Sequence, residues 1–423
     1  MTPQKPVASR ETAGHSGSGR GAADIVRYGV IVLAVWLAWE VVKAPIVQRA
    51  PSAVALRLSP GSPEALRRAA EVEVKAGRIE NALALATDSL SRAPFNARAM
   101  RVWAQAEDAA GDKTVANEAM TLAGNWSLRD DEAHAWLMVQ RLRQGDLLSA
   151  FAHADTLARR RPDLSNRLFA FFNEAVVRDP RGATPLASIM SARPPWRGDF
   201  LDYLQDQPNG AVSLGYTALA LEKTRQPLTT AELSEVYAVW VKDGRLEGLK
   251  QLRDGLGRPA PGRAPQDGAF DAPADSLPFP FGWRIGLAAN FDGSVMADDA
   301  RADNQALRLS YNGFTSGILV DQMMYLAPGR YSLAYDVRAE AADTDRALKW
   351  ALVCAESGAD LAAAAQAPEA TTDWQRHRIS VEVPTGQCSA QWLRLQAEPD
   401  DDRQQTGLWY DNVVISPGLR GAS

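Results

Sequence analysis

The chain has 423 residues, of which 46% are hydrophobic and 23% are charged, and its formal net charge is −5. This length exceeds what one ordinary hydrophobic core organises, so two or three domains are expected. The composition excludes a chain dominated by disorder or by several membrane spans. The negative balance argues against nucleic-acid binding, which normally requires a basic face.

The N-terminal region combines a polar tail with an apolar segment. Residues 1–24 are rich in Gly, Ser, Ala and Pro, which predicts a disordered tail. An uncharged run follows from Tyr28 to Trp39. Extended to Val47, it reaches the roughly 20 residues that a membrane span requires. We therefore predict a single transmembrane helix over 25–47. The core of a signal peptide is the alternative, although no small-x-small cleavage site follows closely.

The orientation of this segment does not follow from charge. Basic residues are nearly balanced on its two sides, so the positive-inside rule does not decide between orientations. A short N-terminal tail inside and a large body outside is the commonest arrangement for an N-terminal anchor. We therefore expect a single-pass protein of the bacterial inner membrane whose C-terminal body lies in the periplasm.

Small residues and prolines recur at an interval of 34 within about 60–165. The recurring sets are Gly77, Gly111 and Gly145; Ala82, Ala116 and Ala150; Pro94, Leu128 and Pro162; and Ala70, Ala104 and Met138. Glycine allows a tight reversal between two helices, a small alanine allows close approach, and proline ends the second helix. The pattern resembles the tetratricopeptide repeat, with lapses at Leu128 and Met138. This resemblance implies an all-α solenoid whose groove binds a protein partner.

Four further segments with helical periodicity extend the predicted helical repeat domain over 48–256. They are 166–177, 184–191, 210–223 and 230–256, and residues 194–196 (Pro-Pro-Trp) interrupt the series. Thr229 and Glu232 predict a helix cap, and residues 243–245 predict a turn between helices. Polar residues on the first helix of each pair are candidates to line the groove, or an ordinary solvated face: Arg68, Glu71, Lys75, Arg98, Arg101, Gln105 and Gln140.

The pattern changes after residue 256. The segment 257–282 is rich in Pro and Gly, which predicts a linker into a new domain. Beyond it, apolar and polar residues alternate in short runs: 307–311, 331–338, 348–352, 378–383, 391–396 and 408–415. Short alternating strands separated by turns predict an all-β sandwich of two antiparallel sheets over 265–417.

Short motifs in this domain occur in a recognisable order. They include Asp267-Gly-Ala-Phe-Asp271, Leu326-Ala-Pro-Gly-Arg-Tyr331, Thr372-Asp-Trp374 and Trp409-Tyr-Asp-Asn-Val413. In this order they resemble the jelly-roll carbohydrate-binding modules of the galactose-binding-like group. The resemblance implies sugar binding in the glycan-recognising members and a structural role in others.

Sugar binding requires a flat aromatic face for the ring and planar polar groups for the hydroxyls. Alternation places Trp392 and Arg394 on the strand face opposite Leu393 and Leu395. Trp392 is therefore the candidate platform, and packing beneath a loop is the alternative. Three more polar candidates point away from the apolar faces of their strands: Arg308, Asp336 and Lys349. The aromatic residues Trp350, Trp374 and Tyr335 are predicted to lie in the core.

The chain contains two cysteines, Cys354 and Cys388, both in the β domain. They predict a disulfide and an oxidising compartment, with two separate buried thiols as the alternative. The cysteines and the four histidines (His15, His134, His153 and His377) show no metal-ligand spacing, and no nucleophile–base motif is present. We therefore expect a protein that is not an enzyme and that uses no metal and no cofactor.

Together these features predict a membrane-anchored scaffold or accessory protein in the assembly or export of cell-surface polysaccharide. The repeats would hold other envelope proteins, and the β domain would contact glycan or dock on a partner. Two alternatives stay open. One is a protein-assembly factor that binds no sugar, and the other is a glycan hydrolase or lyase without a recognisable motif.

Overall fold

The computed structural model describes residues 19–258, 264–273, 275–287, 291–311, 316–341, 348–361, 371–386, 388–397 and 406–418. Over these residues, an N-terminal part of fourteen α-helices precedes a C-terminal antiparallel β-sandwich. The chain divides into two compact units, Met1–Gln140 and Arg141–Ser423. The second unit contains helices as well as the whole sandwich, so the boundary does not fall between the α and β regions.

The first helix, α1, spans Gly19–Arg49. Its stretch Arg27–Arg49 is long and apolar enough to cross a membrane, a property that N-terminal signal sequences share. The predicted disordered tail is wrong for residues 19–24, which continue this helix toward the N-terminus. Residues 1–18 lie outside the described residues.

Short helices make up the rest of the first unit. They are α2 (Ser52–Leu58), α3 (Pro63–Lys75), α4 (Ile79–Arg92), α5 (Ala97–Ala110), α6 (Lys113–Trp126) and α7 (Asp131–Arg143). The pairs α3–α4 and α5–α6 are antiparallel hairpins. Gly77 and Gly111 have φ values of +73° and +105° in the turns, a region that favours glycine. Ala82 and Ala116 are fully buried on the second helices. The predicted turn glycines and close-contact alanines are confirmed.

The second unit begins with seven helices. They are α8 (Leu147–Arg160), α9 (Ser165–Arg178), α10 (Ala183–Met190), α11 (Arg197–Gln205), α12 (Gly210–Glu222), α13 (Thr230–Lys242) and α14 (Leu246–Gly255). The four predicted helical segments are confirmed, and Gly244 turns the chain between α13 and α14 with φ +67°. Thr229 and Glu232 form the predicted reciprocal cap. Helix α11 was not predicted, because Pro194 and Pro195, close before its first residue Arg197, indicate a break in the helical series.

Nine strands form the sandwich. They are β1 (Arg284–Ile285), β2 (Phe291–Ala297), β3 (Gln305–Tyr311), β4 (Gly317–Met324), β5 (Gly329–Ala339), β6 (Leu348–Cys354), β7 (Gln375–Val383), β8 (Gln391–Ala397) and β9 (Thr406–Pro417). One sheet has the order β1-β4-β8-β6 and the other has the order β2-β3-β9-β5-β7. Neighbouring strands are antiparallel. The predicted β-sandwich is confirmed.

The core of the sandwich lies between the inner faces of the two sheets. Trp350 and Leu393 come from the four-stranded sheet, whereas Leu309, Leu333 and Tyr335 come from the five-stranded sheet. All five side chains are buried. The core positions predicted for Trp350 and Tyr335 are therefore confirmed. The removal of this apolar surface from water is the main contribution to the stability of the domain.

The segment predicted as a linker, 257–282, is packed over its described residues. Phe281 is 1% exposed, and its ring centroid lies 5.6 Å from that of Tyr237 in α13. The Phe279 backbone N–H donates a hydrogen bond to Ser234 Oγ in the same helix at 3.0 Å. The linker prediction is wrong here, because proline restricts the backbone of a packed segment as much as that of a free one. Helix α13 therefore packs directly against the chain that enters the sandwich.

Candidate functional site

The candidate glycan-binding residues lie on two different surfaces. Arg308 and Asp336 face outward from the five-stranded sheet, on β3 and β5. Lys349, Trp392 and Arg394 face outward from the four-stranded sheet, on β6 and β8. Packed sheets lie roughly 10 Å apart, and the sandwich core separates the two surfaces. The structure therefore does not bring these five side chains into one site.

Trp392 is not an exposed platform. It is 7% exposed, and its ring stacks on that of Phe279 with centroids 6.2 Å apart. The prediction of an outward, open Trp392 is corrected, because the packed segment before β1 covers the indole. This placement matches the alternative of an indole packed beneath a loop.

Two arginines approach the same indole from the four-stranded sheet. The guanidinium carbons of Arg284 and Arg394 each lie 5.4 Å from the Trp392 ring centroid. Arg284 donates two hydrogen bonds to Asp321, at 2.7 and 2.5 Å. Burial lowers the pKa of Arg394, and among the described residues its buried Nε has no hydrogen-bond partner. The surface around Trp392 on the four-stranded sheet is therefore mainly a packing surface. It contains two arginines, Arg284 and Arg394, beside one carboxylate, Asp321.

Lys349 belongs to the same sheet but is already paired. Its Nζ lies 3.3 Å from an oxygen of Asp360. The pair is partly exposed, so it contributes little to stability. Lys349 therefore presents no free charge near Trp392.

Arg308 forms an ion pair on the opposite sheet. Its Nε donates to Glu340 at 2.7 Å, and Trp409 Nε1 donates to the same carboxylate at 3.0 Å. The hydrogen bond from Arg308 lowers the pKa of Glu340, and it raises the pKa of Arg308, because each stabilises the charged form of the other. Trp409 is buried beneath the Arg338 guanidinium, which lies 4.6 Å from its ring.

Asp336 is part of a buried polar network beside this pair. It is 8% exposed and accepts hydrogen bonds from Arg376 at 2.9 Å and from Arg301 at 3.2 Å. Asp411 is fully buried next to it and accepts from Arg301 at 3.0 Å. Burial raises the pKa of Asp411, against the opposing effect of its hydrogen bonds. Asp336 is therefore a structural member of a paired network.

Trp374 lies over this network and not in the core. Its Nε1 donates to Asp298 at 3.1 Å, and the Arg301 guanidinium lies 4.3 Å from its ring. The prediction of a core position is wrong. Trp374 is two and four residues before Arg376 and Arg378, so strand alternation places it on the same outward face of β7. The indole is half-buried, and the Arg301 guanidinium lies over its ring.

An open cavity of about 950 Å³ lies on the outer face of the five-stranded sheet, where β5, β7 and β9 run side by side. Short side chains form its floor. Ser332 pairs in register with Ser380 on one side and with Ser416 on the other, and Ala334 pairs with Val414. The space exists because these neighbouring positions carry small residues.

Charged side chains surround this floor. Arg330 lies 3.7 Å from Glu382, and Arg376 is held by Asp336. Arg378 is exposed, and among the described residues it has no ion pair or hydrogen bond. Serine hydroxyls and a planar guanidinium are suited to the hydroxyls of a sugar, and the guanidinium also to a carboxylate. The aromatic side chain among the described lining residues is Tyr331.

Sequence reasoning did not identify this cavity. Alternating serines and arginines on a strand are typical of an ordinary solvated face, and nothing in β7 alone indicates that its neighbours are small. The available signal was the outward series Arg376, Arg378 and Ser380. Its meaning depends on the strand order β9-β5-β7, which the residue pattern does not determine.

Cys354 and Cys388 form a disulfide with a Cα–Cα distance of 5.4 Å, as predicted. Glu356 lies near both sulfur atoms, a combination of residues that can hold a metal ion. The sulfurs are bonded to each other, however, so neither is a thiolate ligand. The Glu356 carboxylate instead accepts a hydrogen bond from the Ser389 backbone N–H at 2.9 Å.

Several groove candidates of the first unit form an internal charge network. Arg101 is 3% exposed and donates to Glu71 at 2.8 Å, to Asp130 at 3.0 Å and to Glu132 at 2.5 Å. Gln105 Oε1 accepts from the same guanidinium at 3.1 Å. Although burial opposes it, the charge of Arg101 lowers the pKa of Glu71. Arg101, Glu71 and Gln105 are therefore engaged with one another.

The other groove candidates differ in their contacts. Arg68 donates to three backbone carbonyls at the end of α1, at 2.7–2.9 Å. Lys75 and Arg98 are exposed, and Gln140 is half-buried. Lys75 and Arg98 therefore remain accessible to a partner.

No protein-family model matches the chain, and no curated protein matches it. Solved structures similar to it include a CBM4 module (19% identity, TM-score 0.29, 37% of this chain and 100% of that chain). They also include the CBM22-1 xylan-binding domain of Xyn10C from Paenibacillus barcinonensis, with 17% identity and a TM-score of 0.26 over 32% of this chain and 85% of that chain. A third is the family 11 carbohydrate-binding module of Lic26A-Cel5E from Clostridium thermocellum, with 12% identity and a TM-score of 0.25 over 39% of this chain and 99% of that chain. Similarity at this level names no ligand for this chain.

Proposed function

We propose that the β domain binds carbohydrate in the cavity on the five-stranded sheet. The observation that carries the proposal is this open cavity, with its serine floor and the unpaired Arg378 at its edge. Sugar hydroxyls need several donors and acceptors that converge on one space, and serines and arginines supply both. The ligand would contact Ser332, Ser380 and Ser416 below and Arg378 at the side.

The helical part supports a scaffold role in this proposal. Two helix hairpins with turn glycines and buried alanines agree with a tetratricopeptide-like solenoid, which would hold other envelope proteins. Lys75, which is exposed at the end of α3, is the candidate for that contact. Helix α1 would anchor the chain in the bacterial inner membrane as a single span.

The disulfide supports a body in the periplasm, since such bonds persist in oxidising compartments. A glycan site on an anchored scaffold fits a role in the assembly or export of cell-surface polysaccharide. In this proposal the protein binds glycan without cleaving it and needs no cofactor.

The test is glycan-array binding by the full chain in lipid nanodiscs. We expect Arg378→Ala to weaken binding about tenfold, as the loss of one charge-assisted hydrogen bond implies. Ser380→Trp fills the cavity and should abolish binding. Gln396→Ala, on the outer face of β8 in the opposite sheet, is the matched control and should bind as the native chain does. Equal binding by all four proteins would exclude this cavity.

The alternatives predict different results. A protein-assembly factor would bind no glycan on the array while folding normally. A hydrolase or lyase would release products from polysaccharide, and the cavity does contain two carboxylates, Asp360 and Glu382. Each is paired with a cation, Lys349 or Arg330, in the described structure. New reducing ends, lost in Glu382→Gln, would favour the enzyme.

A further inference from the structure

The end of α1 is fixed to the first helix hairpin. The Arg68 guanidinium donates to the carbonyl oxygens of Val47 and Gln48, both at 2.9 Å, and of Ala50 at 2.7 Å. These are orphan carbonyls of the helix end, where a cation is also favoured by the helix dipole. Val47 is buried in a small cluster with Ala55 and Ala65. The anchor therefore joins the body at the start of α3.

The same end of the hairpins carries the loops after α4 and α6. Ser89 Oγ, in the last turn of α4, donates to the carbonyl of Pro63, the first residue of α3, at 2.7 Å. Phe95 follows in the next loop, and its ring centroid lies 5.8 Å from that of Trp126, the last residue of α6. Both rings are therefore at the end where α1 enters.

Large apolar side chains are exposed at this end. Phe95 is 83% exposed, Leu128 is 65% exposed and Trp126 is 39% exposed. The turns between α3 and α4 and between α5 and α6, at the opposite end, instead expose polar residues, including Arg78 and Lys113. Clustered exposed apolar surface on one end of a domain marks an interaction site.

Basic side chains flank the apolar ones. Arg98 and Arg129 are exposed, and among the described residues their guanidinium groups have no ion pair or hydrogen bond. Aromatic rings with nearby arginines are the combination that occupies the interface of a bilayer, where the rings enter the headgroup layer and the arginines meet lipid phosphates. The charge of these residues thus fits an anionic lipid surface.

We propose that this anchor-end face (Phe95, Trp126, Leu128, Arg98 and Arg129) rests in the headgroup layer of the bilayer that holds α1. The inference depends on the proposed membrane anchor. The bilayer is the occupant because the face lies at the same end of the hairpins as the point where α1 leaves the body. In addition, most of α1 from Tyr28 to Val42 is exposed and free to enter lipid. The contact would hold the helical unit close to the membrane.

The experiment uses the full chain, one copy per nanodisc, in a mixture of phosphatidylcholine and phosphatidylglycerol. A nitroxide is attached in three separate variants: Leu128→Cys on the face, Ala110→Cys at the exposed opposite end, and Val35→Cys in α1. Relaxation by oxygen reports lipid exposure, and relaxation by a water-soluble nickel chelate reports water exposure. We expect the nickel accessibility at Leu128 to be several-fold below that at Ala110 and close to that at a headgroup position.

The outcomes separate the two proposals. Equal nickel accessibility at Leu128 and Ala110, with Val35 in lipid, would overturn the membrane-facing surface and leave the anchor intact. A water-exposed Val35 label would instead contradict the anchor. A third outcome would assign the face to a second chain and overturn the proposal. In that case the Leu128 label would be exposed to water in discs with one copy, and broadening between two labels would appear only in discs with two copies.

A charge test complements the label test. In the Leu128→Cys background, the double change Arg98→Gln and Arg129→Gln should raise nickel accessibility in discs that contain phosphatidylglycerol. It should change little in discs of phosphatidylcholine alone, because the electrostatic attraction is to anionic lipid. The same rise in both lipids would contradict recognition of the anionic surface. Circular dichroism checks that each variant is folded.

Discussion

Arg101 shows how one buried charge can determine local stability. Its guanidinium reaches Glu71 in α3 and both Asp130 and Glu132 at the start of α7. We expect Arg101→Ala to lower the free energy of unfolding by roughly 3–5 kcal/mol, since it leaves the buried Asp130 carboxylate without its cation. Urea unfolding, with hydrogen exchange of α5 peptides, measures this. Arg98→Ala, on an exposed position of the same helix, is the control and should change little.

The same network gives the first unit a pH dependence. The pKa of Glu71 is lowered in the fold from its ordinary value of 4.5. A carboxylate with a depressed pKa stabilises the fold fully above pH 4.5, and this contribution is lost as the pH falls through the lower folded value. We expect the stability difference between the native chain and Glu71→Gln to shrink between pH 5 and pH 3. If the stability difference stays constant over this range, ionisation of Glu71 does not stabilise the fold.

For the candidate glycan-binding residues, odd–even alternation along a strand (parity) predicted the face of the sheet but not the exposure of the side chain. Parity correctly placed Arg308, Asp336 and Arg394 away from the core. It did not reveal that Phe279 covers Trp392, because that contact comes from a segment more than a hundred residues earlier in the chain. Exposure depends on what packs above a strand face, whereas alternation reports only which face a residue is on.

At the scale of elements, the helix hairpins depend on their turn glycines. Gly77 has φ +73°, and a Cβ at this position would meet no atom within 4 Å. Gly77→Ala should therefore cost about 1 kcal/mol through backbone strain alone. Gly77→Asn should cost less, because asparagine adopts this conformation more readily. Thermal unfolding of the two variants compares them, and equal stability of Gly77→Ala and the native chain would contradict the argument.

Strands whose apolar and polar residues alternate were predictable from the sequence, and strands without this alternation were not. Strands β3, β5, β6, β7, β8 and β9 were identified from alternation. Strand β4 was not, because its apolar residues stand in consecutive runs, Ile-Leu-Val and Met-Met, and do not alternate with polar ones. The 34-residue spacing identified the hairpins, since each turn repeats the same conformational requirement at glycine.

At the scale of the whole molecule, the second unit joins helices to the sandwich. Phe281 contacts Tyr237, and the Arg253 guanidinium lies 3.9 Å from its ring. Tyr325 in the sandwich also donates a hydrogen bond to the carbonyl of Leu246 in α14, at 3.0 Å. The division of the chain into a helical domain and a β domain was therefore predictable only in outline, because these contacts depend on tertiary packing.

This packing predicts that the last helices and the sandwich unfold together. Phe281→Ala should remove roughly 3–5 kcal/mol of packing, and limited proteolysis should then cut between α14 and β1 more rapidly. Phe95→Ala, which removes an exposed ring in the first unit, is the control. Unchanged proteolysis of the Phe281 variant would show that the junction does not depend on this contact.

The disulfide has a consequence for how the chain survives damage. Cys354 ends β6 and Cys388 precedes β8, both in the four-stranded sheet, whereas β7 lies between them in sequence and belongs to the five-stranded sheet. The closed covalent ring thus passes through both layers of the sandwich. A single peptide-bond cut inside it would leave one molecule with both halves still tethered. A protease could therefore cut this loop without releasing either half, until a reductant opened the bridge.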